Sequence, residues 1–260
     1  VEDALRADPF LDDKWAVYIA EQIDYDLSTI GVNGFLRDSV CLRALQMDRW
    51  TSEFLAKHKD EEVTILHMAC GLDARGHRLE WGPNVRWIDL DLPDVVELRR
   101  KLLPEPPGDY ALVAGSVLDD GVLSSIPSDR PTAVVSEGLM FYLEEDQAHD
   151  LIRRLCAHFT SGELIFDAMS PFIVGVQKTT QQWLPWTAWM KSQGTRFTSA
   201  VGDPAALEKL YPGLKLQSDV LWSDFEHKSP TMAWSFFALL NRLPLPRYLR
   251  FTGCNLRYTF

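Results

Sequence analysis

From residue 63 onward, short runs of β-branched and apolar residues alternate with stretches of helical periodicity, and the runs at 63–68, 85–90, 111–114, 133–136, 164–167 and 214–220 read as strands. Strands separated by amphipathic segments predict crossovers and a mostly parallel sheet covered by helices on both faces. Val95, Val96, Leu98 and Leu102 form one helical stripe, opened by Pro93 at a first-turn position. A second stripe runs through Ala148, Leu151, Ile152, Leu155 and Phe159, with Glu144, Glu145 and Asp146 placed to complement the helix dipole. Ahead of the first strand, Trp15, Tyr18, Ile19 and Ile23, then Leu42, Leu45, Met47, Trp50, Phe54 and Leu55, predict helices over 14–59, an N-terminal layer within residues 1–60. At the far end, 255–260 alternates polar with large apolar residues and predicts an antiparallel strand that closes a seven-stranded sheet. Within 171–212 the alternation breaks around Trp183, Trp186 and Trp189 with Pro171, Pro185 and Pro204, which reads as an inserted lid in a single domain over 1–260. Those tryptophans, three apart, either cap the core or stack on a flat ligand.

Chemistry concentrates where the first strand ends. It opens into Ala69-Cys70-Gly71-Leu72-Asp73-Ala74-Arg75, and the next strand ends in Asp89-Leu90-Asp91. A glycine at such a turn lets the backbone approach a ligand, and an acid about twenty residues on can chelate ribose hydroxyls. A dinucleotide needs the fuller glycine pattern and an open helix N-terminus for its pyrophosphate; here Gly71 stands alone in the turn and Asp73 puts a carboxylate where phosphate would sit. S-adenosylmethionine has a ribose, no phosphate, and two cationic centres that tolerate an anion. It is the expected cofactor, and a dehydrogenase is disfavoured.

Among the 260 residues, 46% are apolar, ordinary for a globular chain, and the net charge of −11 argues against nucleic acid as a partner. Cys41, Cys70, Cys156 and Cys254 are scattered, which indicates neither a zinc site nor a disulfide framework and fits a reducing, cytoplasmic setting. No apolar run approaches the ~20 residues of a membrane span and no secretory signal opens the chain, so no membrane partner is expected. The missing initiator Met implies further residues upstream. A small-molecule acceptor is the expected partner, with the protein a monomer or homodimer.

One ordered series is specific: Ile23-Asp24-Tyr25-Asp26; Cys70 to Arg75 with Arg78-Leu79; Trp87-Ile88-Asp89-Leu90-Asp91-Leu92-Pro93; Gly115-Ser116-Val117-Leu118-Asp119; Glu137-Gly138-Leu139-Met140-Phe141-Tyr142-Leu143; and Phe166-Asp167-Ala168-Met169-Ser170-Pro171. Over nearly the whole chain it resembles the leucine carboxyl methyltransferase superfamily, in its branch of polyketide O-methyltransferases. The resemblance implies an α/β, Rossmann-like class I methyltransferase that transfers a methyl group from S-adenosylmethionine to a carboxylate or phenol oxygen of an aromatic polyketide or related secondary metabolite. It also implies site roles: Arg37 at the cofactor carboxylate, Ala69 and Gly71 in the first loop, Asp91 on the ribose, Ser116, Val117 and Leu118 beside the adenine, and Glu137 against the methionine portion. By the same resemblance, the family usually has Gly at the place of Ala69 and Thr at that of Ala74. These departures leave open a repurposed fold that binds or rearranges a polyketide without methyl transfer.

Single residues carry competing readings. Asp73 is read as a helix N-cap or first-turn acid, either on that account alone or as a cap that also meets the cofactor. Asp89 and Asp91 are assigned to opposite sides of their strand, which leaves Asp89 as a turn or solvent-facing acid. Arg75 and Arg78 either snorkel over the surface or, for Arg75, line the site. His67 reads as a satisfied core residue and His58, His149 and His158 as helix-surface positions; His77 and His227 remain as candidate bases. A carboxylate acceptor is already ionised and needs no base, whereas a phenol, with a pKa of about 10, needs a base or a stabilising cation. Tyr142, His227 and Arg75 are the catalytic candidates on that account. No metal is called for, because the cofactor carries the electrophile.

Overall fold

The computed structural model describes residues 1–25, 34–180, 190–192, 194–225, 231–243, 249 and 252–260. Two helices, α1 (Lys14–Ala20) and α2 (Gly34–Lys57), precede the sheet, and Asp13 caps α1 by accepting the Ala16 N–H at 3.0 Å. Strands and helices then alternate: β1 (Val63–Met68), α3 (Arg75–Arg78), β2 (Val85–Asp91), α4 (Pro93–Leu102), β3 (Asp109–Ala114), α5 (Asp120–Ser124), β4 (Thr132–Ser136), α6 (Glu145–His158) and β5 (Gly162–Ala168). They are followed by α7 (Pro171–Thr180), α8 (Leu207–Leu210), β6 (Lys215–Leu221), α9 (Met232–Asn241) and β7 (Cys254–Thr259).

The seven strands lie in the order β3-β2-β1-β4-β5-β7-β6, with β1 to β5 parallel and β7 antiparallel to both neighbours. The order reverses between β1 and β4, and ligands of open α/β sheets bind in the crevice such a switch creates at the carboxyl ends of the strands.

Alternate pleats serve the two faces. Val63, Ile65, Val85, Trp87, Ala133, Val135 and Ile165 pack against Met47, Trp50 and Phe54 of α2. The opposite pleats, among them Leu66, Met68, Ile88, Leu90, Val134 and Leu164, pack against Leu151, Ile152 and Leu155 of α6. Two residues beyond Ile65, Trp87, Val135 and Ile165, the α2-facing positions at the carboxyl edge become His67, Asp89, Glu137 and Asp167. One face of the sheet thus turns from apolar to ionisable within a single pleat.

In the 171–212 segment, Gln177 of α7 accepts the Phe197 N–H at 2.6 Å, and the backbone N–H groups of Thr198 and Val201 donate to the carbonyls of Phe141 and Met169 at 2.8 and 3.0 Å. Trp183, Trp186 and Trp189 lie outside the described residues. No helix among the described residues is long and apolar enough to cross a membrane.

Candidate active site

The turn after β1 reverses through two left-handed residues, Ala69 at φ +50° and Gly71 at φ +52°. Gly71 adopts this readily; Ala69 does so against the crowding of its own Cβ. The Gly71 N–H donates to Asp91 Oδ2 at 2.6 Å, and the Leu92 N–H to Asp91 Oδ1 at 2.7 Å. From behind, Arg99 of α4 donates to the carbonyls of Gly71 and Asp73 at 3.1 and 2.7 Å, so a buried guanidinium pins the loop to the sheet.

Asp89 corrects the sequence reading. Residues two apart on a strand share a face, so Asp89 and Asp91 differ in depth rather than in side. Asp89 is fully buried and accepts from Trp87 Nε1 and Tyr110 Oη, each at 2.8 Å, and from Arg99 Nη2, with His67 Nδ1 at 3.2 Å. Burial alone would raise its pKa; the bond to His67 and the charge of Arg99 bring it below the usual carboxylate value.

Asp73 is not a cap, since α3 begins after Ala74 with no side-chain capping bond. Its carboxylate takes Arg78 Nη1 at 2.6 Å and stands 3.4 Å from Arg75 Nη1. Nor is Arg75 or Arg78 a surface charge. Arg75 is fully buried, donating from Nε to Asp48 at 2.6 Å, from Nη2 to Glu137 at 2.8 Å, and from Nη1 to His67 Nε2 at 3.1 Å. A guanidinium only donates, so His67 accepts on Nε2 and offers its Nδ1 proton to Asp89, satisfied as a core residue. Burial works against ionisation of Asp73 and Glu137, but Arg78 and Arg75 outweigh it for Asp73, and Arg43 and Arg75 for Glu137; both pKa values are lowered.

Beside this network lies a cavity of about 380 Å³, within the ~300–1,000 Å³ typical of small-molecule sites. Its described lining includes His67, Ala69, Cys70, Leu72 and Asp73 on the β1 side, Arg43 and Glu137 opposite, and Asp3 and Asp13 from the N-terminal segment. That segment is shaped by Asp3, which accepts the N–H groups of Phe10 and Leu11 at 3.0 and 2.9 Å, and is tied to α2 by Arg6 and Asp38 at 3.1 Å. Four carboxylates, Asp3, Asp13, Asp73 and Glu137, thus share the wall with one guanidinium, Arg43. A cationic ligand fits this donor set and a pyrophosphate does not.

The other sequence candidates lie around this cavity at different removes. Arg37 binds Asp38 at 2.9 Å and Glu2 at 3.6 Å, on the helix that carries Arg43 but outside the cavity wall. Ser116, Val117 and Leu118 follow β3, adjoining Asp91 through the Gly115 N–H bond to the Asp91 carbonyl at 2.8 Å. Tyr142 is 44% exposed, its ring 5.7 Å from Phe197, and burial of its hydroxyl raises the pKa. His77 turns its Nε2 to the Pro104 carbonyl at 2.8 Å and packs at a tilt against Trp15, ring centroids 4.5 Å apart, with burial holding its pKa below the usual value. His227 lies outside the described residues. Sequence reasoning missed Arg43, Asp48, Arg99 and Asp167. The last is fully buried at the end of β5, accepts the Gly138 N–H at 2.8 Å, and is pushed up to about 6 by burial, which Arg43 only partly offsets.

Residues 3–156 match the sequence profile described as leucine carboxyl methyltransferase. The tetracenomycin polyketide synthesis O-methyltransferase TcmP of Streptomyces glaucescens is 36% identical over 257 residues, covering 97% of this chain and 89% of that protein. The chain belongs to the leucine carboxyl methyltransferase family. It is an S-adenosylmethionine-dependent O-methyltransferase. The S-adenosyl-L-methionine-dependent methyltransferase dpfgK of Gibberella zeae is 34% identical over 234 residues, covering 82% of this chain and 76% of its own. At the level of fold, the plantazolicin methyltransferase BpumL, solved with S-adenosylhomocysteine, aligns with a TM-score of 0.53 at 14% identity over 96% of each chain. A protein from Streptomyces avermitilis aligns at 0.55 and 17% identity over 97% of this chain and 92% of its own. The family member described above therefore has the Rossmann-like methyltransferase sheet that its strand alternation predicted.

Proposed function

We propose that this enzyme methylates a carboxylate or phenol oxygen of an aromatic small molecule, a polyketide or related secondary metabolite. The acidic cavity under the Gly71 turn carries the reading, since an excess of carboxylates favours a sulfonium and an ammonium over any phosphate. The polyketide class is supported by the name of the TcmP relative.

When bound, S-adenosylmethionine supplies the electrophilic methyl group. The chain supplies the rest. Asp91, steadied by the Gly71 and Leu92 N–H groups, keeps lone pairs for ribose hydroxyls, and Ser116, Val117 and Leu118 flank the adenine. Glu137, held ionised by Arg43 and Arg75, meets the ammonium beside Ala69 and Asp73, and Arg37 exchanges Glu2 for the methionine carboxylate. Arg75, wholly engaged from within, acts through Glu137 and Asp73 rather than on the acceptor. Tyr142 borders the acceptor, with residues 171–212 as the lid that excludes water. Orientation of the acceptor oxygen and a dry site supply the acceleration.

Calorimetric titration with S-adenosylmethionine and, separately, S-adenosylhomocysteine tests the pocket, followed by mass spectrometry of aromatic carboxylic acids and phenols incubated with the former. Micromolar binding of both and an acceptor heavier by one methylene are expected. Failure of both to bind overturns the cofactor assignment; binding with no turnover across these acceptors overturns methyl transfer in favour of a binding fold.

A further inference from the structure

We propose that the exposed apolar face of α9 is where a second copy of this chain docks, the two α9 helices pairing antiparallel about a two-fold axis. The inference is independent of the cofactor and of the acceptor.

Met232, Phe236, Leu239 and Leu243 are 89%, 57%, 62% and 46% exposed. Their spacing of four, three and four residues is that of a seam between paired helices and lays them along one side of α9, which the Leu243 N–H extends by donating to the Leu240 carbonyl at 3.1 Å. The rotation of the helix is fixed from the other side. Asn241 lies nine residues, or about two and a half turns, beyond Met232, and so half a turn away around the axis. It is buried, and its Nδ2 donates to Ser223 Oγ at 2.9 Å and to Thr252 Oγ1 at 3.1 Å, tying α9 to the segments after β6 and before β7. That polar anchor leaves the seam turned outward.

The seam is self-complementary. A two-fold axis over the midpoint between residues 237 and 238 sets Met232 against Leu243 of the partner subunit, and Phe236 against Leu239 of the partner subunit, so each large apolar side chain of the seam meets another. Antiparallel pairing also opposes the two helix dipoles. Charge favours the same occupant. The chain carries −11, so two copies repel over most of their surfaces, but α9 holds no Asp, Glu, Lys or Arg from Met232 to Asn241. A helix that lies on a lipid surface is rich in Lys and Arg along its polar side, whereas the exposed flank here offers Ser235 and a single cation, Arg242. Four side chains fall short of the ~800 Å² that a stable interface buries on each partner, so they form the centre of a dimer that exchanges in the micromolar range.

Sedimentation velocity of the full chain across the micromolar range tests the pairing, in the wild type, Phe236→Glu and the double variant Phe236→Glu/Leu239→Lys. The wild type should pass reversibly from monomer to dimer. Phe236→Glu buries a charge against Leu239 of the partner subunit and should raise the dissociation constant at least about tenfold, while the double variant sets opposite charges face to face across the axis and should regain part of that loss. Both positions are exposed in the single chain, so far-UV circular dichroism should be unchanged, which certifies the fold; Met232→Glu, at the most exposed position of the seam, repeats the test should Phe236→Glu alter the spectrum. A wild type that stays monomeric, or a dimer indifferent to these substitutions with the spectrum intact, overturns the proposal. A double variant no better than the single one overturns the antiparallel register. Binding of a monomeric wild type to vesicles of anionic phospholipid, lost in Phe236→Glu, would assign the face to a membrane and overturn the proposal as well.

Discussion

The two halves of the carboxyl edge are built on opposite terms. Around β1 and β2, Asp48, Asp73, Arg75, Arg78, Asp89 and Arg99 interlock so that each charge has a hydrogen-bonded partner, and the loop that carries Gly71 is held from both sides. Around β4 and β5, Arg43 makes one side-chain hydrogen bond among the described residues, Asp167 Oδ2 meets Arg43 Nη1 at 3.0 Å without a hydrogen bond, and Tyr142 is half exposed. On the proposed function, the first half is the cofactor's side, and it is preorganised by internal pairing. The second half is less fully cross-linked, and a fold can vary at such a place without losing its frame.

If the first half is a closed lattice, removing its central cation should be severe. Arg75→Met leaves Asp48 to Arg78 alone, Glu137 to Arg43 alone and His67 Nε2 without its donor, and should cost about 3 kcal/mol in urea unfolding, the low end for breaking a buried pair on one side. A loss below about 1 kcal/mol would mean that the lattice does not hold the fold.

Asp89 and Asp91 separate structure from binding within one strand. Asp91→Ala should weaken S-adenosylhomocysteine by about 1.5–3 kcal/mol in calorimetry, through lost hydrogen bonds to a charged group, with a smaller change in stability. Asp89→Ala should do the reverse, lowering stability because Arg99 is left buried and unpaired. Equal effects of the two on affinity would erase the distinction in depth.

Much of this was legible beforehand. The strand runs, the C-terminal antiparallel strand and the pairing of Gly71 with Asp91 follow from periodicity and from turn chemistry, both of which act over short stretches of chain. Arg43 and Arg99 were not, because a helical arginine beside apolar neighbours carries the same local pattern whether it faces water or a carboxylate on a strand 94 residues away. A weaker signal was present: His67, Asp89 and Asp167 each stand two residues beyond a buried apolar position on their own strand, so the pleat directed them to the α2 side. Asp89 was misassigned by setting that alternation aside.

The two halves also differ in the sign of their pH dependence. Asp73 has a lowered pKa, so its contribution is present above about pH 4 and lost as pH falls below it. Asp167, raised to about 6, is the opposite case: the native state holds its proton more tightly than the unfolded chain, and that contribution is present below about pH 4 and lost as pH rises through about 6. Unfolding free energies of the wild type and Asp167→Asn, measured from pH 4 to 7, should therefore diverge by about 2–3 kcal/mol in favour of the variant as pH rises, because the amide keeps an acceptor for the Gly138 N–H without the buried charge. Parallel curves would show that Asp167 is not perturbed.

The smallest effect concerns Ala69, on the cofactor side. A left-handed alanine costs about 1–2 kcal/mol relative to an allowed conformation, and glycine removes that strain while adding about 0.5–1 kcal/mol of freedom to the unfolded chain. Ala69→Gly should thus stabilise the protein by at most about 1 kcal/mol in thermal unfolding. Since the Cys70 N–H donates to the Leu90 carbonyl and Arg99 donates to the turn's own Gly71 and Asp73 carbonyls, the loop should keep its path and S-adenosylhomocysteine affinity should change by less than about threefold. A large gain in affinity would instead mean that Ala69 obstructs the cofactor. The preorganisation attributed to this half would then be incomplete at the residue nearest the turn.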